Sequence, residues 1–320
     1  MKKRIIVILI ILLIFGAGTV LFYSLRNNSE GEKTTNTTSI KDDWKAFDNP
    51  NTDIIEDETE ELKEKANIEK DISYGEEKLQ KLDIYPSEKD NSSVVIYVHG
   101  GGWAIGDKSN HAKKGEVFSN AGYTFVALNY RLSPEITHPV HVQDVAKGFK
   151  WVYENIESYG GDKDKIFLIG HSAGAHLVAL LSTANEFLYE QGLTLENIAG
   201  TVCLDGAGLN IITVKENNSS SFIKTYEPIF GNNDEELKEA SAYFYLDEAY
   251  NLPPFLLYYA DGRELTKSVA NQFSNKLNEK GVESKVSEAY GKDHSGINDA
   301  LESSDEQVTK NILSFLTVYR

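Results

Sequence analysis

The chain of 320 residues carries 49 acidic and 32 basic side chains, and its formal net charge of −17 argues against a nucleic-acid partner. Its 41% hydrophobic content can build the core of one large α/β domain, and its single cysteine excludes an internal disulfide or a cysteine-based metal cluster. The sequence has neither a Gly-rich phosphate loop nor an H-E-x-x-H motif. We therefore expect the protein to need no metal and no organic cofactor.

The first 23 residues differ from the rest of the chain. Lys2, Lys3 and Arg4 precede an uncharged, mostly apolar run over residues 5–23, which is long enough for a membrane-spanning helix. We predict that residues 1–23 are an uncleaved membrane anchor, with a cleaved signal peptide as the alternative. The positive charges before the run favour a cytoplasmic N-terminus, so the folded part is expected outside the cytoplasm, either anchored or secreted.

Residues 24–65 have another composition. Asn, Thr, Ser, Asp, Glu and Lys dominate this segment, and large apolar side chains are scarce. Such a composition predicts a polar, partly disordered tether. We assign residues 66–320 to one folded domain, because strand and helix patterns begin there.

That domain alternates between the two patterns. Apolar, β-branched runs predict strands, several of them buried on both faces, at residues 68–74, 79–85, 94–98, 124–129, 166–169, 200–204, 255–260 and 282–289. Helical spacing of apolar residues predicts helices at 111–121, 140–159, 175–181, 266–280 and the C-terminus. The alternation predicts an α/β fold with a mostly parallel sheet covered on both faces. Residues 209–250 interrupt it and are expected to form a small cap over the carboxyl ends of the strands.

Gly170, Ser172 and Gly174 form the pattern G-x-S-x-G between a predicted strand and a predicted helix. This is the pattern of a nucleophile elbow, in which a sharp turn holds the serine hydroxyl clear of the sheet. The two glycines let strand and helix approach closely around that turn. An ordinary glycine-containing turn also fits these five residues, so the assignment depends on partners elsewhere in the chain.

A serine hydroxyl becomes a good nucleophile only with a base and an acid that orients the base. In elbow-type sites the acid and then the histidine follow the serine along the chain. His176 follows Ser172 but lies one turn into the same predicted helix, with no acid between them. His294 lies in a polar loop after the last predicted strand, and we predict that it is the base.

Asp261 directly follows a predicted strand, so it should lie at the carboxyl edge of the sheet. That strand comes just before the strand that leads to His294, so we expect the loops that carry Asp261 and His294 to be neighbours at the edge of the sheet. We predict Asp261 as the acid. Asp205 and Glu264 remain the alternatives; Asp205 also follows a strand, but one nearer the elbow.

The stretch His-Gly-Gly-Gly at residues 99–102 follows a strand expected beside the elbow strand. Glycines can turn their N–H groups toward a reaction centre without obstruction, so we predict Gly101, Gly102 and Ala173 as donors to an oxyanion. Trp103 comes directly after the glycines, and we expect this bulky side chain to narrow the substrate pocket.

These motifs, in this order, resemble the α/β-hydrolase carboxylesterases, with the hormone-sensitive-lipase-like and kynurenine-formamidase-like branches closest. The resemblance rests on residues 99–103, 130–135 and 170–174, with Asp261 and His294, and covers roughly residues 70–320. It implies that the domain predicted at residues 66–320 has an α/β-hydrolase fold. It also implies the triad Ser172, Asp261 and His294, the oxyanion hole of Gly101, Gly102 and Ala173, and structural supports at Tyr130, Arg131 and Asp144.

The resemblance implies a serine carboxylesterase that cleaves short acyl esters through an acyl-enzyme intermediate, and the predicted anchor at residues 1–23 would tether it to a membrane. An arylformamidase, another amidase or a peptidase could use the same triad. A non-catalytic binding protein on a hydrolase scaffold fits less well, because serine, base, acid and Gly-rich loop are all present.

Overall fold

The computed structural model describes residues 68–320. The predicted anchor at 1–23 and the predicted tether at 24–65 lie outside the described residues. Within residues 68–320, no helix has both the length and the apolar character that a membrane crossing requires.

The strands form one sheet in the described part of the chain. They are β1 (Glu69–Ser73), β2 (Lys81–Tyr85), β3 (Ser92–Val98), β4 (Thr124–Leu128), β5 (Gly161–His171), β6 (Ile198–Leu204), β7 (Phe255–Ala260) and β8 (Ser284–Ala289). Their order across the sheet is β1-β2-β4-β3-β5-β6-β7-β8. β2 runs antiparallel to β1 and β4, and the remaining pairs are parallel. The predicted α/β fold with a mostly parallel sheet is therefore confirmed.

Helices connect and cover the strands. The α-helices are α1 (Ala112–Asn120), α2 (Val140–Asn155), α3 (Ala173–Leu181), α4 (Asn185–Tyr189), α5 (Ile211–Asn217), α6 (Ser219–Ser221), α7 (Glu227–Phe230), α8 (Asp234–Glu239), α9 (Ala242–Tyr245), α10 (Glu264–Glu279), α11 (Gly296–Asp299) and α12 (Gln307–Val318). Shorter 3₁₀ turns occur at Lys108–His111, Ile156–Tyr159, Leu195–Asn197, Ala207–Asn210 and Ala300–Glu302.

Periodic apolar residues explain why the long helices lie against the sheet. α2 buries Val145, Phe149 and Val152, which recur at helical spacing on one face. α10 and α12 bury corresponding sets, and α3 is buried at all its positions. β3 is also buried throughout, as expected for a parallel strand covered on both faces. The core therefore lies on both sides of the central strands, beneath the segments that carry the site.

The segment between β6 and β7 consists of short helices, α5 to α9, with a π-helical turn at Phe222–Tyr226. Asparagine side chains at 210, 218 and 233 accept hydrogen bonds from the first backbone N–H groups of these helices. Each such cap gives an acceptor to a backbone N–H group in the first turn, which has no partner inside the helix. The residues predicted as a cap, 209–250, fall within this helical insertion.

A buried carboxylate fixes the chain next to the Gly-rich loop. Asp144 is fully buried and accepts hydrogen bonds from the Arg131 Nε and Nη2 atoms, each at 2.8 Å, and from the Gln80 amide at 2.7 Å. The Tyr130 hydroxyl donates to the His99 carbonyl oxygen at 3.0 Å, where β3 leads into the glycines. Tyr130, Arg131 and Asp144 therefore have the structural role that the resemblance implied.

The substitution Asp144→Asn is expected to lower the free energy of unfolding by about 2–4 kcal/mol, because it leaves the Arg131 guanidinium without its buried counter-charge. Urea unfolding followed by circular dichroism measures the change. Glu157→Gln is the matched control: Glu157 pairs with Lys163 at 3.1 Å, but Glu157 is 61% exposed, so loss of the pair should leave the free energy of unfolding nearly unchanged. Equal effects of the two substitutions would contradict the role given to Asp144.

Candidate active site

Ser172 lies on a sharp turn between β5 and α3. Its backbone has φ 54° and ψ −114°, and its N–H donates to the Leu204 carbonyl oxygen at 2.8 Å. A Cβ on Gly170 would lie 2.3 Å from the Gly174 carbonyl oxygen, and one on Gly174 would lie 2.1 Å from the Val98 carbonyl oxygen. Only glycine fits at either position, so the G-x-S-x-G spacing is a packing requirement of this turn. A serine held at positive φ costs about 1–3 kcal/mol, a strain typical of functional positions.

His294 lies in the loop after β8 and faces this serine. Its Nε2 atom is 3.0 Å from the Ser172 Oγ, and its side chain is 39% exposed. The structure therefore brings together the two residues predicted as nucleophile and base, which are far apart in the chain.

The acid beside His294 is Asp205, not Asp261. The Asp205 Oδ2 lies 2.5 Å from the His294 Nδ1, and the carboxylate is fully buried. Because an ionised carboxylate only accepts hydrogen bonds, Nδ1 carries the proton and Nε2 is free to accept from the Ser172 hydroxyl. The Asp261 side chain is exposed, and its carboxylate accepts instead from the Gly291 N–H at 3.3 Å. The sequence-based choice of Asp261 was wrong, and the alternative that it ranked second fills the position.

Strand spacing gives the physical reason. β6, which ends before Asp205, is the direct neighbour of the elbow strand β5, whereas β7, which ends before Asp261, is one strand further away. Neighbouring strands lie about 4.8 Å apart, so a residue after β7 begins about 10 Å from the elbow. The loops of Asp261 and His294 are neighbours as predicted, since the Asp261 N–H donates to the Lys292 carbonyl oxygen at 2.9 Å. That contact uses the backbone, and the loop then carries His294 back over β7 to Asp205.

The environment of Asp205 keeps its carboxylate ionised. Burial raises its pKa, but the hydrogen bond from His294, the charge of Arg263 and the Ala260 N–H together lower it below its ordinary value. The Ala260 N–H lies 3.2 Å from Oδ1, and the Arg263 Nε lies 3.1 Å from Oδ2. Sequence analysis missed Arg263, because its spacing from Asp205 gives no sign of the contact.

His171, inside the elbow motif, holds the backbone of the base. Its Nε2 lies 2.7 Å from the His294 carbonyl oxygen, and the two rings are 4.7 Å apart. Burial, with a smaller effect of the nearby His294, lowers the pKa of His171 to about 4. His171 is therefore neutral around neutral pH and donates from Nε2 to the carbonyl oxygen. No local pattern pairs these positions, which are 123 residues apart.

The Gly-rich loop passes beside the serine. A Cβ on Gly100 would lie 3.1 Å from the Ser172 Cβ. Gly101 has φ 108°, and a Cβ there would lie 2.0 Å from the Ile105 carbonyl oxygen, so this tight turn requires glycine. Among residues 68–320, the N–H groups of Gly101, Gly102 and Ala173 donate no hydrogen bond. All three predicted donors are available to an incoming oxygen atom.

Trp103 does not line a substrate pocket as predicted. The residue is 2% exposed, and its Nε1–H donates to the His176 Nδ1 at 3.2 Å. His176 in turn donates from Nε2 to the Ala240 carbonyl oxygen at 2.7 Å. The indole ring also packs against Tyr226 and Phe230 of the insertion. A buried indole needs a hydrogen-bond acceptor, and this one links the Gly-rich loop to α3 and the insertion.

The insertion reaches the predicted oxyanion loop. A Cβ on Gly102 would lie 3.7 Å from the Thr225 methyl group. Two isoleucines in these segments expose much of their surface: Ile105, which follows the Gly-rich loop, is 70% exposed, and Ile223 of the insertion is 59% exposed.

Within the described part of the chain, no group of three or more His, Cys, Asp or Glu side chains could hold a metal ion.

Comparison with known proteins identifies a family and several relatives. The BD-FAE family model matches residues 82–280. Kynurenine formamidase from Debaryomyces hansenii is 34% identical over 125 residues, covering 37% of this chain and 40% of the relative. Esterase LipQ from Mycobacterium tuberculosis is 31% identical over 208 residues, covering 62% of this chain and 48% of the relative. The chain thus matches less than half the length of either relative.

A solved structure supports the fold. Esterase B from Lactobacillus Rhamnosis (HN001) superposes with a TM-score of 0.67 at 19% sequence identity, covering 88% of this chain and 93% of the other. The two proteins therefore share their architecture despite low sequence identity. The predicted membership in the α/β-hydrolase carboxylesterases is confirmed by the family model, the relatives and this fold together.

Proposed function

The chain belongs to the BD-FAE family, and from that premise we propose that it is a serine carboxylesterase that cleaves short-chain esters through an acyl-enzyme intermediate. The observation that carries the proposal is the pair of contacts made by one imidazole. His294 lies 3.0 Å from the Ser172 hydroxyl on one side and 2.5 Å from the buried Asp205 carboxylate on the other.

Acylation follows from these positions. The His294 Nε2 takes the proton of the Ser172 hydroxyl as Oγ attacks the ester carbonyl carbon. The negative charge that develops on the carbonyl oxygen is stabilised by the N–H groups of Gly101, Gly102 and Ala173. The protonated His294 then gives its proton to the leaving alkoxide oxygen, the C–O bond breaks, and an alcohol departs from the acyl-enzyme.

Deacylation repeats the steps with water. His294 removes a proton from water as the water oxygen attacks the acyl carbon, and the same N–H groups stabilise the second oxyanion. His294 returns the proton to the Ser172 oxygen, and a carboxylic acid leaves. Asp205 remains ionised throughout and stabilises the imidazolium form of His294.

The surroundings of the site favour small, uncharged acyl groups. The exposed Ile105, which directly follows the oxyanion loop, offers apolar surface beside it. The insertion is built from short helices, without a long helix that could act as an extended lid. The net charge of −17 also disfavours anionic substrates.

A formamidase is the second candidate, because one relative is a kynurenine formamidase. The same serine could attack a formyl carbon, with His294 protonating the leaving nitrogen. Hydrolysis rates of the full-length chain on p-nitrophenyl acetate, butyrate and palmitate and on N-formylkynurenine separate the candidates. We expect the highest kcat/KM on acetate or butyrate. A higher value on N-formylkynurenine would favour the formamidase, and a higher value on palmitate would contradict the short-chain preference.

We also propose that residues 1–23 anchor the protein in a membrane and place the hydrolase outside the cytoplasm. The support is the apolar run over residues 5–23 behind three positive charges. Intact-chain mass and detergent-dependent extraction of the expressed protein test this. A shortened chain released in soluble form would favour the secreted alternative.

A further inference from the structure

Arg263 lies directly on the acid of the proposed triad. Its Nε atom is 3.1 Å from the Asp205 Oδ2, the same oxygen that lies 2.5 Å from the His294 Nδ1. The Ala260 N–H, from the same turn, binds the other carboxylate oxygen at 3.2 Å. The Arg263 N–H donates back to the Ala260 carbonyl oxygen at 3.2 Å, which fixes this turn. Both oxygens of the acid are thus contacted by the turn that runs from the last residue of β7 to the residue before α10.

Arg263 also brings a positive charge next to the Asp205 carboxylate. The Asp205 carboxylate is fully buried, whereas the Arg263 side chain is 44% exposed. Within the described part of the chain, Arg263 and His294 are the basic side chains that form ion pairs with Asp205. A cation on this carboxylate offsets part of the attraction that Asp205 exerts on a protonated His294.

The other ionisable groups considered around this pair are either neutral near neutral pH or exposed to solvent. Burial lowers the pKa of His171 to about 4 and raises that of Tyr226 to about 12, so both are neutral. Asp261, Glu264 and Asp293, in or directly after the loops that carry Arg263 and His294, are exposed carboxylates. Solvent screens these carboxylates, and Lys267 lies 3.6 Å from Glu264. The half-buried Lys292 pairs with Glu306 at 2.6 Å.

Resting on the proposed esterase function, we propose that Arg263 is a positioning residue that holds the Asp205 carboxylate for His294 and, through its charge, extends activity toward lower pH. Catalysis requires the neutral form of His294, because only a neutral Nε2 can take the serine proton. Without the guanidinium, Asp205 attracts a proton on His294 more strongly. The inactive protonated form then persists to higher pH, and the acidic limb of kcat/KM moves upward.

The pH dependence of kcat/KM on p-nitrophenyl butyrate tests this with the full-length chain. We expect Arg263→Gln to raise the midpoint of the acidic limb by about 0.5–1 pH unit, because it removes a positive charge that disfavours the protonated form of His294. The exposure of the Arg263 side chain keeps this shift small. Arg263→Lys keeps the charge and should keep the wild-type midpoint, with a lower kcat because an ammonium cannot reproduce the planar Nε contact. Arg263→Ala also removes the positive charge, and it leaves a smaller side chain than Gln at this position.

Lys267→Gln is the matched control, since it removes a cation one turn further along α10 and should leave the midpoint unchanged. A wild-type midpoint in Arg263→Gln and Arg263→Ala would overturn the inference. So would a uniform loss of activity at every pH, which is the mark of a purely structural residue. A wild-type chain that hydrolyses no ester and does not react at Ser172 with a fluorophosphonate would instead overturn the proposed function, and the inference with it.

Discussion

Ser172→Ala is expected to lower kcat for ester hydrolysis by about 10⁶-fold, because the substitution removes the only group proposed to attack the ester. The rate that remains should be the roughly 10³–10⁴-fold over water that binding and an oxyanion hole provide. Folding should be retained, since the Ser172 backbone N–H still donates to the Leu204 carbonyl oxygen, 2.8 Å away. Initial rates on p-nitrophenyl butyrate and a thermal unfolding curve measure the two effects.

Ser119→Ala is the control for Ser172→Ala. The Ser119 hydroxyl donates only to the Glu116 carbonyl oxygen on the surface of α1, so its loss should leave kcat unchanged. Activity of Ser172→Ala near that of the wild type would show that another group attacks the substrate. The assignment of His294 as the base would then lose its basis as well.

Asp205→Asn is expected to lower kcat by about 10⁴-fold, whereas Asp261→Asn should leave it within a few-fold of the wild type. An amide at position 205 can donate to the His294 Nδ1, which favours the ring tautomer that cannot accept the serine proton. At position 261 the same change affects an exposed side chain whose contact is the Gly291 N–H at 3.3 Å. The two substitutions are chemically identical, so each is the control for the other.

Rates measured at several pH values, with circular dichroism to verify folding, are sufficient for this comparison. The opposite ranking, with Asp261→Asn crippled and Asp205→Asn nearly normal, would return the acid to the position chosen from the sequence. A small effect of both substitutions would mean that His294 acts without an orienting carboxylate.

The parts of the fold that depend on local patterns were predictable from the sequence. The apolar runs at β3 and β7 and the helical spacing in α10 predict their elements within a few residues, because burial selects the same periodicity wherever an element packs. The elbow was predictable because its turn accepts only glycine at two positions. Gly170 and Gly174 are required by backbone contacts within the turn itself and next to it.

The acid and the tryptophan were not predictable in this way. Choosing between Asp205 and Asp261 depends on how far a loop after β8 folds back across β7, and nothing in the residues near either aspartate encodes that path. Trp103 is buried because the insertion supplies Tyr226 and Phe230 against its ring, a contact between distant segments. The contact between His171 and His294 likewise joins residues that lie 123 positions apart in the chain, so no local pattern predicts it.

The central claim, that Ser172 is a nucleophile activated by His294, is tested most directly by mapping a covalent adduct. The full-length chain is treated with a fluorophosphonate, digested, and analysed by tandem mass spectrometry. The account predicts one adduct per chain, on Ser172, with none in Ser172→Ala and much slower labelling in His294→Ala. A wild-type chain without an adduct, or with its adduct on another residue, would contradict the claim.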